Sequence, residues 1–137
     1  MSNDKLLEIM NRSIAGELQA IIQYMWQHVM AVGIASPEIR EMFEDFAVEE
    51  MKHAETLAER LDLLGGVPTV QPDPISVGGD LKKMITDDLH AEKATIELYR
   101  EAIEAATKAN DPVTRLLFER LLGDEEEHHK ALADLLQ

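Results

Sequence analysis

Apolar residues recur along this chain at intervals of three and four, in four separate stretches. The first series reads Met10, Ile14, Glu17, Ile21, Tyr24, His28, and the second Phe43, Phe46, Glu50, His53, Leu57, Leu61 or Leu64. The third reads Ile85, Leu89, Glu92, Ile96, Tyr99, Ile103, and the fourth Phe118, Leu121, Glu125, His128, Leu132, then Leu135 or Leu136. That period puts each series on one face of an α-helix, as a seam packed within a bundle. The predicted helices cover about 3–33, 37–64, 80–109 and 112–136. Their ends carry matching signals: Ser2, Asn3 or Asp4 as a first cap, Ser36 before Pro37 as a second, then Asp80 and Asp111 before Pro112. Gly33, Gly65-Gly66 and Asn110 stand where helices should stop.

The linker covers 65–79, and its residues 67–79 contain Pro68, Pro72, Pro74, Gly78 and Gly79 and are too broken for helix. About thirteen extended residues reach roughly 40 Å, which is also the length of a helix of about 28 residues. This linker can therefore run the full length of a bundle and start the third helix beside the start of the second. The short connections elsewhere imply antiparallel neighbours. The expected fold is all-α: one domain over 1–137, a four-helix bundle of two antiparallel hairpins joined by a long crossover.

Shifting the chain by 75 residues overlays it on itself. Pro37 meets Pro112, Arg40 meets Arg115, Phe43 meets Phe118, and Leu57 meets Leu132. Glu50 and His53 meet Glu125 and His128, Glu17 meets Glu92, and Tyr24 meets Tyr99. The chain is thus a duplicated helix hairpin. The repeat also sets the register in the fourth helix. Glu126-x-x-His129 is an equally good local motif, but only Glu125 and His128 fall on both the repeat and the apolar seam.

The formal net charge is −14, from 27 acids against 13 bases. Such a chain repels nucleic acid and anionic membranes and attracts cations. It has no cysteine, so no disulfide framework, thiolate zinc site or cysteine-held cluster. No apolar run approaches the ~20 residues of a membrane span, and no signal peptide is evident at Met1-Ser2-Asn3-Asp4. A cytoplasmic location is expected.

Glu-x-x-His on a helix projects a carboxylate and an imidazole from one face, where both can grip a single metal ion. One copy would occur by chance in an acidic helix. Here two copies sit in repeat register, each preceded at the same interval by a seam glutamate. Four glutamates in a bundle core would repel one another and take up protons. No Lys or Arg shares the seams at these levels. Two divalent ions would balance the four negative charges, and neutral imidazoles complete the ligation without adding charge. Oxygen-rich ligation with one nitrogen per metal suits iron or manganese. Tyr24 and Tyr99 read first as core aromatics with satisfied hydroxyls. The functional alternative is that one hydrogen-bonds a ligating carboxylate or is oxidised in turnover, with Tyr24 the candidate. His28 and His90 read as surface or bundle-end residues.

Across nearly its whole length the chain resembles bacterioferritin and the ferritin-like superfamily. The segments that carry the likeness are Gly16-Glu17-Leu18 through Gln23-Tyr24 and Glu49-Glu50-Met51-Lys52-His53-Ala54-Glu55. With them go Asp88-Leu89 with Glu92, Arg100-Glu101-Ala102-Ile103, and Asp124-Glu125-Glu126 with His128. The resemblance implies that Glu17, Glu50, His53, Glu92, Glu125 and His128 are ferroxidase ligands. Glu50 and Glu125 would bridge the metals and Glu17 and Glu92 would be terminal. It implies oxidation of Fe(II) by O2 or H2O2, a homo-oligomer, and storage of ferric mineral in a cage. Met51 matches the methionine by which bacterioferritins hold haem between two subunits; the plain reading is an apolar residue at a dimer interface. Met25 and Trp26 would suit either. Bacterioferritins continue into a short fifth helix, whereas this sequence stops at Gln137, so the di-metal site is expected and a closed cage is left open. Two rivals remain: a rubrerythrin-like peroxidase or manganese catalase acting on peroxide, and a non-catalytic metal-binding helical assembly protein.

Overall fold

The computed structural model describes residues 2–137 and consists of four helices: α1 (Ser2–Met30), α2 (Ser36–Leu63), α3 (Leu81–Lys108) and α4 (Pro112–Leu135). There is no strand among the described residues. α1 packs against α2 and α3, and α3 packs against α4, while α2 and α4 touch only slightly. The helices run up, down, down and up.

The linker explains that order. It climbs along α1 in the same direction as the helix. Asn11 Nδ2 donates to the Val67 carbonyl at 2.9 Å, and the Thr69 amide donates back to Asn11 Oδ1 at 2.8 Å. Further up, the Asp73 amide reaches the Ala15 carbonyl at 3.0 Å, and the Ser76 amide reaches Gln23 Oε1 at 3.0 Å. An irregular segment thus finds partners for its backbone on α1 and delivers α3 to the far end of the bundle.

The helix ends follow local chemistry, with one difference from the expected caps. Asp80 Oδ1 accepts from the Lys83 amide at 2.8 Å, and Asp111 Oδ1 from the Thr114 amide at 3.0 Å. Ser36, expected as a cap, is instead a buried residue inside α2. The cap position is Ala35, which offers no side-chain acceptor. Gly33, at φ +120°, turns the chain so that its carbonyl accepts from the Ser36 amide at 3.1 Å. That bond uses the serine's backbone and moves the cap one residue earlier. α1 already includes Ser2, so the position that would cap it lies outside the described residues. Gly65, at φ +91°, lets the Gly66 amide turn back to the Leu61 carbonyl at 2.9 Å and closes α2.

The core is in two parts. One apolar cluster includes Leu6, Met10, Ile14, Leu57, Leu61 and Phe118; the other includes Tyr24, Ile39, Phe43, Met84, Ile85 and Leu132. Between them lies a buried polar layer. At the end of the bundle away from the linker's exit, Asp111 also accepts from Arg60 Nη2 at 3.0 Å and from the Thr114 hydroxyl at 2.6 Å. Asp111 therefore ties α2 to the start of α4. Asp111→Ala is expected to cost about 1–2 kcal/mol in denaturant unfolding of the metal-free protein. Glu119→Ala, which removes only the exposed Arg115–Glu119 pair, should cost under about 0.5 kcal/mol. Equal losses would refute the structural role given to Asp111.

Candidate metal centre

Glu17 comes from α1, Glu92 from α3, and the two Glu-x-x-His pairs from α2 and α4. All six side chains lie in the polar layer, each 6% exposed or less. Two groups of four form there, each with one ligand atom per residue and all four atoms within 4.8 Å of one another. The first is Glu17, Glu50, His53 and Glu125; the second is Glu50, Glu92, Glu125 and His128. Glu50 and Glu125 belong to both and are placed to be shared between two ions. Each outer position keeps one glutamate and one histidine of its own.

Both imidazoles face this layer through Nδ1. His53 Nδ1 lies 2.9 Å from Glu125 Oε1 and 3.2 Å from Glu50 Oε1. His128 Nδ1 lies 3.7 Å from Glu50 Oε1 and 3.8 Å from Glu92 Oε1, with no hydrogen-bond partner. Their Nε2 atoms face outward to half-exposed carboxylates, His53 to Asp124 Oδ2 at 2.9 Å and His128 to Glu49 Oε2 at 2.5 Å. A carboxylate accepting from Nε2–H fixes the tautomer that leaves Nδ1 free to ligate. Glu49 and Asp124 lie on the thinly packed α2–α4 side. Phe46 stacks on the His128 ring at a centroid distance of 4.0 Å and restrains its orientation.

The tyrosines cross over. Tyr24 OH, on α1, donates to Glu92 Oε1 at 2.7 Å, and Tyr99 OH, on α3, donates to Glu17 Oε1. Both phenols are buried, and burial pushes both well above their ordinary range, with nearby carboxylates adding to the effect. They serve as hydrogen-bond donors to the two outer glutamates.

Several donor atoms in the layer lack a partner: Glu17 Oε2, Glu50 Oε1, Glu92 Oε2, Glu125 Oε2 and His128 Nδ1. Buried acceptors are seldom left so, and five in one layer point to a group that would complete them. Two divalent cations fit the donor types, the charge and the split into two groups. In the metal-free protein, protons must substitute. Burial pushes Glu50 and Glu125 well above the carboxylate range, and the neighbouring glutamates push them further. Burial also raises Glu17 against the pull of His53. Burial acts against Glu92 too, but the Glu125 and His128 side chains beside it and the Tyr24 hydroxyl outweigh burial and hold that carboxyl low. His53 is pushed up to about 11, the Glu125 and Glu17 carboxylates beside it overcoming burial.

A family model for the ferritin-like domain matches residues 7–137. The chain belongs to the ferritin-like family. It is 38% identical over 125 residues to the bacterioferritin of Desulfovibrio desulfuricans, covering 90% of this chain and 70% of that one. It is 34% identical to the bacterioferritin of Rhodobacter capsulatus, covering 90% and 78%. Among solved structures, a ferritin-like diiron-carboxylate protein from Bacillus anthracis superposes with a TM-score of 0.97 at 31% identity, over 100% of this chain and 99% of that one. The D. desulfuricans bacterioferritin, solved with its diiron site in different catalytic states, superposes with a TM-score of 0.89 at 34% identity, over 98% and 79%.

Sequence reasoning missed Glu49 and Asp124, although a signal was present. They are related by the same 75-residue shift and each precedes a seam glutamate by one position. It also assigned no role to Asp88, Gln23 and Gln27, which are buried but fall on no repeat. Met51, Met25 and Trp26 lie outside the cluster and are about half exposed. Glu126 and Glu127 are exposed and His129 is half-buried, so the repeat selected the inward-facing pair.

The raised groups set the pH dependence of the metal-free protein. Glu17, Glu50, Glu125 and both histidines hold protons more tightly folded than at the unfolded values of 4.5 and 6.5. The folded state then binds more protons than the unfolded one, so stability falls as pH rises from about 5 toward about 11; the lowered carboxyls of Glu92 and Asp111 act in the opposite sense, and only below that window. Denaturation at pH 5, 7 and 9 should show that decline. Glu50→Gln should raise the stability of the metal-free protein at pH 8 by about 1–3 kcal/mol while weakening divalent-cation binding. A variant no more stable than the parent at pH 8 would contradict this account.

Proposed function

We propose that this chain is a bacterioferritin-like ferroxidase that takes two Fe(II) as substrate and converts them to Fe(III) with O2 or H2O2, for iron storage or detoxification. The observation that carries the reading is the layer of unpartnered, buried donor atoms divided into two four-residue groups with Glu50 and Glu125 in common. Iron supplies the electrons, one from each Fe(II). The residues supply the binding and its geometry. Glu50 and Glu125 hold both ions at once. Glu17 with His53, and Glu92 with His128, each complete one position. The Tyr99 and Tyr24 hydroxyls keep the outer glutamates turned toward their ions. Glu49 and Asp124 hold the imidazoles with Nδ1 inward. Filling the site expels the protons that Glu50, Glu125 and the histidines carry when no metal is bound.

The same donor set takes Mn(II), and a peroxide-consuming di-metal enzyme would use it in the same way. Assembly into a homo-oligomer belongs to the proposal. Its support is the apolar surface that one chain leaves open: Met25, Trp26 and Val29 on α1 and Val48 and Met51 on α2 are each 42–60% exposed. The relative from R. capsulatus has been solved with haem iron in a crystallographic special position, at a TM-score of 0.87 and 28% identity. Met51 suits a haem ligand only in part: its side chain is accessible, but one chain builds no enclosed pocket around it, so a second copy would have to close the site. No helix among the described residues is long and apolar enough to cross a membrane. A cytoplasmic place of action completes the reading.

Aerobic titration of Fe(II) into metal-free protein, followed by ferric absorbance, tests the proposal. A rapid phase saturating near two irons per chain, then slower soluble uptake, is the expected result. Saturation at two without further soluble uptake would keep the oxidation and remove storage. A rate no faster than that without protein would remove the ferroxidase reading and leave manganese, to be tested by elemental analysis. A Soret band in the purified protein that is lost in Met51→Leu would establish haem at Met51.

A further inference from the structure

The repeat that makes the ligands equivalent does not extend to the residues behind them. The 75-residue shift takes Asp88 onto Ser13, Gln23 onto Leu98, and Gln27 onto Ala102. The Glu92–His128 position is therefore backed by a carboxyl and two amides, all 2% exposed or less. Behind Glu17 and His53 stand a serine, a leucine and an alanine, and the serine hydroxyl is already donated to the Ile9 carbonyl at 2.8 Å.

Asp88 Oδ1 accepts from Gln23 Nε2 at 2.8 Å. Asp88 Oδ2 has no partner, and neither does Gln27 Oε1. The groups that face Asp88 are Gln23, Gln27 and Tyr24 from α1, with Glu92 and Asp87 on its own helix. Among the described residues no Lys, Arg or His on any helix pairs with it. A buried carboxyl with anions for neighbours and no cation retains its proton. Burial accordingly pushes Asp88 up to about 8, the Glu92 and Asp87 charges adding to a shift that the two glutamines oppose. Asp88 also lies one turn before Glu92 on the same helix face, about 5–6 Å away between Cβ atoms.

Taking the ligand assignment above as its basis, we infer that Asp88 makes the two metal positions unequal. A divalent cation entering beside Glu92 and His128 drives the Asp88 proton to solvent, and the carboxylate so formed strengthens that position over its twin at Glu17 and His53. One O–H bond breaks, one proton leaves, and no electron moves. Asp88 touches no ligand in this reading. It is a positioning residue that acts through the field at Glu92, and a unit charge that close to a dication at an intermediate dielectric is worth about tenfold or more in affinity.

The test uses Co(II), added without oxygen to the metal-free protein and followed by its d–d absorption, with proton release read in weakly buffered solution at pH 7. The wild type should bind two Co(II) in two resolved steps. In Asp88→Asn the first step should weaken about tenfold, the steps should merge, and about one fewer proton should be released. Asp88→Ser, which copies the residue behind the other half, should do the same. Loss of packing alone would change neither the proton count nor the separation of steps. Unchanged steps and protons in both variants would overturn the inference while leaving the ligand assignment intact. A wild type that binds no Co(II) pair would remove both. Should the variants not fold, aspartate-selective carbon-13 NMR of the wild type decides. One carboxyl that titrates above pH 6 without metal and is ionised at pH 7 with two Zn(II) bound supports the inference. Ordinary titration of every aspartate overturns it.

Discussion

Four glutamates in a buried layer with no lysine or arginine among them form the constraint on which the rest of the molecule depends. Such a layer is unstable as four anions, so the chain must hold protons there or bind cations. The surroundings serve this need. The apolar core is split into two clusters, one on each side, which exclude water and raise the penalty on unbalanced charge. The histidines add nitrogen donors and no fixed charge. The tyrosine hydroxyls satisfy one oxygen on each outer glutamate and leave the other free. A site arranged in this way is destabilising when empty, and the same repulsion drives its affinity for divalent cations.

Helix geometry turns this electrostatic problem into two defined positions. Glu and His stand three positions apart in each motif, so each pair shares a face on α2 or α4, opposite the single glutamates of α1 and α3. The long linker brings these faces together. A short turn after α2 would have made α3 its antiparallel neighbour. The climb along α1 instead places α3 against α1 and leaves α2 and α4 only lightly in contact. That lightly packed side is where the outer nitrogens of His53 and His128 meet the half-exposed Asp124 and Glu49. One chain path therefore assembles the six candidate ligands and leaves the second nitrogens of the two histidines near solvent.

Much of this was legible in the sequence because it is periodic. Helix extents follow from the spacing of Met10, Ile14, Phe43 and Phe118 and their counterparts, and the convergence of six polar residues follows from their places on those seams. Legibility failed where a property depends on contacts between helices. Ser36 reads as a cap, yet the turn at Gly33 fixes the cap at Ala35. Each tyrosine reads first as a core aromatic, yet each bonds the glutamate of the other hairpin. Glu49 and Asp124 are related by the repeat, yet only their distances to the imidazoles show what they do. Asp88, Gln23 and Gln27 break the repeat, so an argument built on the repeat passes over them.

That break has a physical reading. Duplication of a hairpin produces two metal positions with the same ligands and gives them no reason to differ. Differences must come from residues that the duplication does not constrain, and here these lie behind the ligands. Tyr24 is enclosed by Phe43 and Phe46, whose rings stand 6.1 and 5.5 Å from it, and Asp88 lies in the same half. Tyr99 packs on Phe118 at 5.3 Å and lines a polar cleft between α1 and α3 with Ser13, Gly16, Asp73 and Thr95. One half is therefore enclosed by aromatic rings and carries a buried carboxyl behind its candidate ligands, while the other borders a cleft and carries a serine there. Two chemically identical ions in those halves would experience different fields and different access to water. In the reading proposed above, the six candidate ligands would bring two cations together, and the residues behind them would make the two distinguishable.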